Sequence, residues 1–220
     1  MKNNWVLLLF AFMLSACVSD EDAKVSFTPP YYGPHDVVQV EENGVSRFDT
    51  THYTIPKFSF TNQKNEEVSH KNYAGHIYIA DFFFSNCPSI CPILSSQLAR
   101  IQDKLIQDSL LGTIMILSHT VDPRRDSVEA LNIYAERLGA KLPYWNFVTG
   151  DPGDLYYQAE QGYLVTAFES DTAAGGFFHT DQFALIDEKM RIRGYYDGTS
   201  TSEVDSMYTD ILRLINLKND

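Results

Sequence analysis

Two near-continuous apolar runs, His76 to Phe84 and Thr113 to Ser118, constrain this chain more than any other feature. A strand with one wet face alternates polar and apolar residues. These runs do not alternate, so both faces must be covered, as in a parallel sheet. Between them Ile90, Leu94, Leu98, Ile101 and Leu105 recur at helical spacing and stop before Gly112. Strand, helix and strand in that order predict a βαβ crossover. Upstream, Ile55 to Phe60 and Glu66 to Val68 flank Asn62-Gln63-Lys64-Asn65 and predict a hairpin. Downstream, a second helix is predicted from Asp126, with Asp126 and Glu129 at capping-box spacing, and a short one over 153–162. Phe183 to Asp187 and Met190 to Tyr196 predict a hairpin around Glu188-Lys189. A last helix follows Ser202, with Val204, Tyr208, Ile211, Leu212 and Ile215 on one side. The order implies an α/β sheet with helices for both faces: a thioredoxin-like fold with an added N-terminal β-hairpin.

The chain ends bound the rest. Lys2, the apolar stretch Trp5 to Met13 and then Leu14-Ser15-Ala16-Cys17 predict an export signal. The stretch is shorter than the ~20 residues a membrane-spanning helix needs. The tetrapeptide looks like a bacterial lipobox, whose cysteine becomes the acylated first residue of the mature protein. The expectation is therefore a signal over 1–17, lipid on Cys17, and an extracytoplasmic lipoprotein anchored in a bacterial cell envelope. Residues 18–50 hold Asp20, Glu21, Asp22, Pro29-Pro30 and Gly33-Pro34 with little periodicity, and read as a tether to one domain over 51–220. A formal charge of −12 and a pI near 4.8 leave no basic face for phosphates, which excludes nucleic-acid binding.

Setting Cys17 aside leaves one close pair, Cys87 and Cys91, in Asn86-Cys87-Pro88-Ser89-Ile90-Cys91. One such pair is too little for a disulfide scaffold and reads as a site. It follows a strand and opens a helix, at the sheet edge where ligands gather in α/β folds. Residues four apart in a helix face one side, and amide groups at the helix start favour thiolate over thiol. The pair suits two chemistries. It can close a disulfide, or it can grip a soft ion such as copper(I). Three intervening residues, where thiol exchange in this fold usually has two, leave both open.

A metal needs a further donor, because two thiolates alone hold copper(II) poorly. Of six histidines, His35, His52, His70 and His76 read as surface groups. His179 follows Gly175-Gly176-Phe177-Phe178, just before the Phe183 strand, in the loop that packs on the cysteine turn in thioredoxin-like folds. Oxidoreductases of this fold place a cis-proline there, and residues 170–185 contain no proline. The histidine fits metal better than exchange.

The chain resembles the Sco/SenC family of copper-binding proteins that assist cytochrome c oxidase assembly. The matching residues are Asp81-Phe82-Phe83-Phe84-Ser85-Asn86-Cys87-Pro88-Ser89-Ile90-Cys91-Pro92, Val121-Asp122-Pro123-Arg124-Arg125-Asp126-Ser127, and His179 with Phe183-Ala184-Leu185-Ile186-Asp187. The resemblance implies that Cys87, Cys91 and His179 ligate copper, with Asp122 an accessory residue. It implies a copper-accepting oxidase subunit as partner, with delivery to its dinuclear copper site. A thiol reductant would then keep the pair reduced. Asp122 also makes a good turn into a capped helix. His119 departs from the family pattern and is either a satisfied polar residue or an outer group at the site. Arg124 and Arg125 read as a solvated, salt-bridging turn and not as a binding patch. Phe177 and Phe178 read as core, with a shield over the metal as the alternative. The competing functions are an extracytoplasmic thiol-disulfide oxidoreductase without metal and a redox sensor.

Overall fold

A computed structural model describes residues 28–219. The signal, Cys17 and the first part of the expected tether lie outside the described residues. The elements in order are β1 (His35–Glu42), β2 (Val45–His52), β3 (Ser59–Asn62), β4 (Glu67–Ser69), α1 (His70–Tyr73), β5 (Ile77–Phe83), α2 (Cys91–Gln107) and β6 (Ile114–Thr120). Then come α3 (Val128–Leu138), β7 (Trp145–Thr149), α4 (Pro152–Tyr157), β8 (Ala167–Glu169), β9 (Phe177–His179), β10 (Gln182–Ile186), β11 (Ile192–Asp197) and α5 (Thr201–Asn219).

The main sheet runs β11-β10-β5-β6-β7-β3-β4. Its centre is parallel, β5 against β6 and β6 against β7, and every residue of β5 and β6 is buried, which is why neither strand alternates. β10 joins β5 antiparallel and β3 joins β7 antiparallel, so the predicted hairpins form the two flanks. Alternate residues of β5 face opposite layers. Phe83 stacks on Tyr134 of α3, whereas Phe82 packs with His119 and Tyr163 on the other side.

Three features differ from the sequence reading. Asp126 does not open α3. Ser127 caps that helix by accepting from the Ala130 amide at 3.2 Å, and Asp126 turns inward, accepting from the Ser85 amide and from Thr120. The carboxylate thus ties the start of the cysteine loop to the end of β6 instead of capping a helix. β7 is an unforeseen strand, because its five residues include the polar Asn146, which is buried and bonded to Asn62 and the Tyr73 hydroxyl.

The described part of the expected tether is also structured. β1 and β2 pair antiparallel around Asn43-Gly44, both at positive φ, the turn chemistry of a two-residue hairpin. β2 crosses the expected boundary at residue 51. Residues 28–34 form a strap on β11: the Tyr32 amide donates to the Ile192 carbonyl at 3.0 Å, and buried Arg193 donates to the Pro29 and Pro30 carbonyls. Tyr31 lies over the guanidinium groups of Arg191 and Arg193.

Candidate metal centre

β5 ends at Phe83, and the chain turns through 84–90 into α2 beyond the carboxyl ends of the parallel strands. Pro92 sits in the first turn of α2, where a missing amide proton costs little. Cys91 opens the helix and is 1% exposed, while Cys87 is half-buried in the turn. Both are free thiols.

The third donor comes from 88 residues further on. β8 and β9 form a small separate hairpin, and His179 ends β9 at 8% exposure. Cys91 Sγ and His179 Nε2 are 3.3 Å apart. The ligand atoms of Cys87, Cys91 and His179 all lie within 4.8 Å of one another. Among the described residues this is the only group of three or more such side chains close enough to hold an ion.

The imidazole is oriented for that task. His179 Nδ1 meets the Thr180 carbonyl at 2.8 Å, and a carbonyl can only accept, so the proton sits on Nδ1 and the Nε2 lone pair faces the sulfurs. Burial lowers the His179 pKa, keeping the ring neutral. The thiols differ. Burial pushes the Cys91 thiol well up, and its proximity to Cys87 adds to this. For Cys87 burial acts in the same direction but is outweighed by hydrogen bonds from the Cys91 thiol, the Cys91 and Ser89 amides and the Ser89 hydroxyl, so its pKa is lowered.

The hairpin bearing His179 is fastened at several points. Phe84 meets the His179 ring edge-to-face at 5.8 Å and packs on Phe177 at 5.4 Å. Gly175, at φ +80°, lies so close to Phe84 that a Cβ there would fall 2.7 Å from the ring. Arg125 donates to the Gly175 carbonyl at 2.8 Å and lies over the Phe177 ring, and Arg124 pairs with Glu169 of β8. Both arginines form the salt bridges expected of that turn, and both reach from it to the hairpin.

Asp122 is buried but does not join the ligand group; it pairs with Arg125, which in turn reaches the segment leading to His179. His119 is not brought to the site either. It faces the opposite layer, stacked on Phe82 at 4.8 Å with Phe58, Phe60 and Tyr163 around it. Burial pushes its pKa down to about 3. Its Nδ1 donates to the Asp81 carbonyl at 3.3 Å. Phe177 and Phe84 cover the hairpin side of the centre, while Phe178 is half exposed and stacks on Phe168.

Asp81 stands in the sequence reading only as part of the matching motif, and its structural part beneath the centre was not read from it. Asp81 is buried in the sheet, accepting from Ser118, whose oxygen also accepts from the Trp145 ring at 3.0 Å. Burial pushes its carboxyl up to about 7, the Ser118 bond notwithstanding. An acid inside an otherwise apolar strand was the available signal.

The family model for SCO1/SenC matches residues 47–216. The chain belongs to the SCO1/SenC family. It is 26% identical over 175 residues to the SCO1 protein homolog of Bacillus subtilis, covering 77% of this chain and 87% of that one. It spans less than half the length of the mitochondrial relatives it matches. A SCO1/SenC family lipoprotein from Bacillus anthracis superposes with a TM-score of 0.68 at 26% identity, over 74% of this chain and 95% of that one. Arabidopsis thaliana ScoI, solved with copper bound, superposes with a TM-score of 0.62 at 25% identity, over 75% and 99%. The thioredoxin-like fold is thus shared across the family, and the first strand of the β1–β2 hairpin lies ahead of the family match.

Proposed function

We propose that this protein is a copper carrier that binds copper(I) and copper(II) through Cys87, Cys91 and His179 and delivers it to the dinuclear copper site of cytochrome c oxidase. One observation carries the reading: two sulfurs and one imidazole lone pair, from segments far apart in the chain, lie within 4.8 Å of one another. Family membership and the copper-bound Arabidopsis relative support copper as the cargo. Two thiolates select a soft ion, and the neutral imidazole completes a roughly trigonal set. Cys87 offers the first sulfur, since its thiolate is favoured, and Cys91 gives up its proton as the ion enters. Transfer then proceeds by stepwise exchange of these ligands for the acceptor's. A disulfide between the cysteines leaves no thiolate for copper, so a thiol reductant must act before loading. The oxidase subunit and that reductant are the proposed partners.

The proposed setting is the outer side of a bacterial membrane, held by lipid on Cys17; the Bacillus anthracis lipoprotein supports it. No helix of the described residues is long and apolar enough to cross a membrane.

The deciding experiment is an anaerobic titration of the reduced protein with copper(I) and copper(II), alongside Cys87→Ser and His179→Ala. One tightly held ion, weakened in both variants, is expected. Efficient disulfide reductase activity in a protein that retains no copper would instead establish a thiol-disulfide oxidoreductase.

A further inference from the structure

Two clefts flank the cysteine pair, and they differ in which ligands they reach. One, of about 430 Å³, is lined by His179, Ile90, Thr180 and Phe178 and reaches neither sulfur. The other, of about 250 Å³, lies between the cysteine turn, the start of α2 and the end of α3. Cys87, Cys91, Ser85, Tyr134, Arg137 and Leu138 line it, and His179 does not. Its floor is polar: the Tyr134 and Ser95 hydroxyls bond at 2.7 Å. Its rim carries the exposed Arg137, with no carboxylate paired to it among the described residues. The volume falls below the ~300 Å³ where drug-sized ligand pockets begin, which suits one thiol-bearing group and little more.

We infer that this groove is the entry port for the thiol that reduces the oxidised Cys87–Cys91 pair, and that it takes a sulfhydryl carried beside a carboxylate. The geometry separates two traffics. A reductant reaches sulfur from the α2–α3 side, while the imidazole arm occupies the opposite side. Cys87 is the sulfur attacked, because Cys91 is almost wholly buried. The incoming thiolate bonds to Cys87 Sγ, the Cys87–Cys91 bond breaks, and its electron pair leaves on Cys91 Sγ, which takes a proton from water. A second thiolate attacks the incoming sulfur, forming the external disulfide and releasing Cys87, which takes the second proton. Two external thiols are oxidised, and the pair gains two electrons and two protons. Arg137 holds the carboxylate of the incoming thiol over the groove.

The inference rests on the reading that the pair must be reduced before it loads, but its test contains no copper, so the two fail separately. The full chain is oxidised with diamide. The rate of disulfide loss is then followed by alkylation and mass measurement with mercaptoacetate, 2-mercaptoethanol and cysteamine, each rate corrected for thiolate fraction. A parallel arm uses a short peptide with one cysteine flanked by glutamates, which separates a protein source from a small thiol. Arg137→Glu changes the local charge by two units, and at about 6 Å in water that slows mercaptoacetate and speeds cysteamine by about tenfold each, so their rate ratio falls about a hundredfold. Leu138→Trp, which fills the groove, slows every reagent, whereas Phe178→Trp on the other cleft leaves the rates unchanged. Dependence on Arg137 for the peptide alone supports a protein reductant, and for both anionic reagents a small one. A rate ratio unmoved by Arg137→Glu in both arms, or a larger effect of Phe178→Trp than of Leu138→Trp, overturns the port.

Discussion

Cys87 and Cys91 sit four residues apart yet differ in how they hold their protons, Cys87 less tightly and Cys91 more tightly than an ordinary thiol, and this asymmetry sets how the centre responds to acid. Without metal, burial keeps Cys91 protonated through neutrality, so each copper that binds must expel that proton. His179, lowered by burial, does not begin to compete for its proton until below the ordinary imidazole range. Copper affinity should therefore fall about tenfold or more per pH unit between pH 8 and 6, measured by competition against a chelator of known pH dependence. An affinity flat over that window would mean Cys91 is not a ligand. Asp81 obeys the opposite rule for stability. Its carboxyl is pushed up to about 7, so the folded state holds the proton more tightly than the unfolded chain. That contribution is full below the ordinary carboxylate range and is lost as pH rises through about 7. Asp81→Asn keeps an acceptor for Ser118 and carries no charge. Its stability gain over the wild type should widen between pH 4 and 8 to on the order of a few kcal/mol in urea unfolding of the reduced protein.

At the scale of elements, the centre joins a rigid half to a fastened half. Cys91 opens α2, which packs against α3 and α5 over buried strands, and Cys87 lies in the turn before it, whereas His179 stands on a two-stranded hairpin outside the main sheet. The clamp on that hairpin is the Asp122–Arg125–Gly175 chain of contacts. Arg125→Met removes a charged hydrogen bond of roughly 1.5 to 3 kcal/mol and should speed amide exchange in 175–179 while leaving β5 and β6 protected. Copper should bind about tenfold or more weakly for the same reason, yet better than to His179→Ala. Unchanged exchange would show that the aromatic contacts of Phe84 suffice alone. This part of the site was only half visible in the sequence. Cys87, Cys91 and His179 could be named because their chemistry is rare and their spacing informative. The clamp could not, because an Asp-Pro turn followed by two arginines looks alike whether it meets water or a hairpin 50 residues away. β5, β6 and α2 were legible because burial on both faces, and a single apolar stripe, write themselves into residue order. The β1–β2 hairpin was missed although Asn43-Gly44 announces it, since valines scattered among charged residues in 35–52 mark no inner face: nearly every residue there is exposed. His119 stays out of the site for a plain reason of strand pleat, which sends it to the layer opposite Phe83.

Across the whole molecule, the two ends of the central strands do different work. The carboxyl ends carry the cysteines. The amino ends carry the strap, with Thr28 and Ile77 lining one cleft of about 410 Å³ together with Arg191 and Arg193. Arg193 is the pin of that arrangement, bonded to Asp187 at 3.1 Å and to the Pro29 and Pro30 carbonyls. Arg193→Met should cost about 3 kcal/mol, as expected for breaking a buried charged pair, and should open 28–34 to proteolysis before the rest of the chain. Loss of stability with the strap still protected would place the whole effect on Asp187. β5 advances about 17 Å between Tyr78, level with the strap, and Phe83, below the cysteine turn. With lipid on Cys17, the ten residues from Val18 to Phe27 allow at most about 35 Å of leash. A protein moored in that way would be held by its heel with the metal centre at the crown, so the proposed receiver should offer its copper seat well above the lipid surface, and one lying flush with the headgroups would require the molecule to tip over.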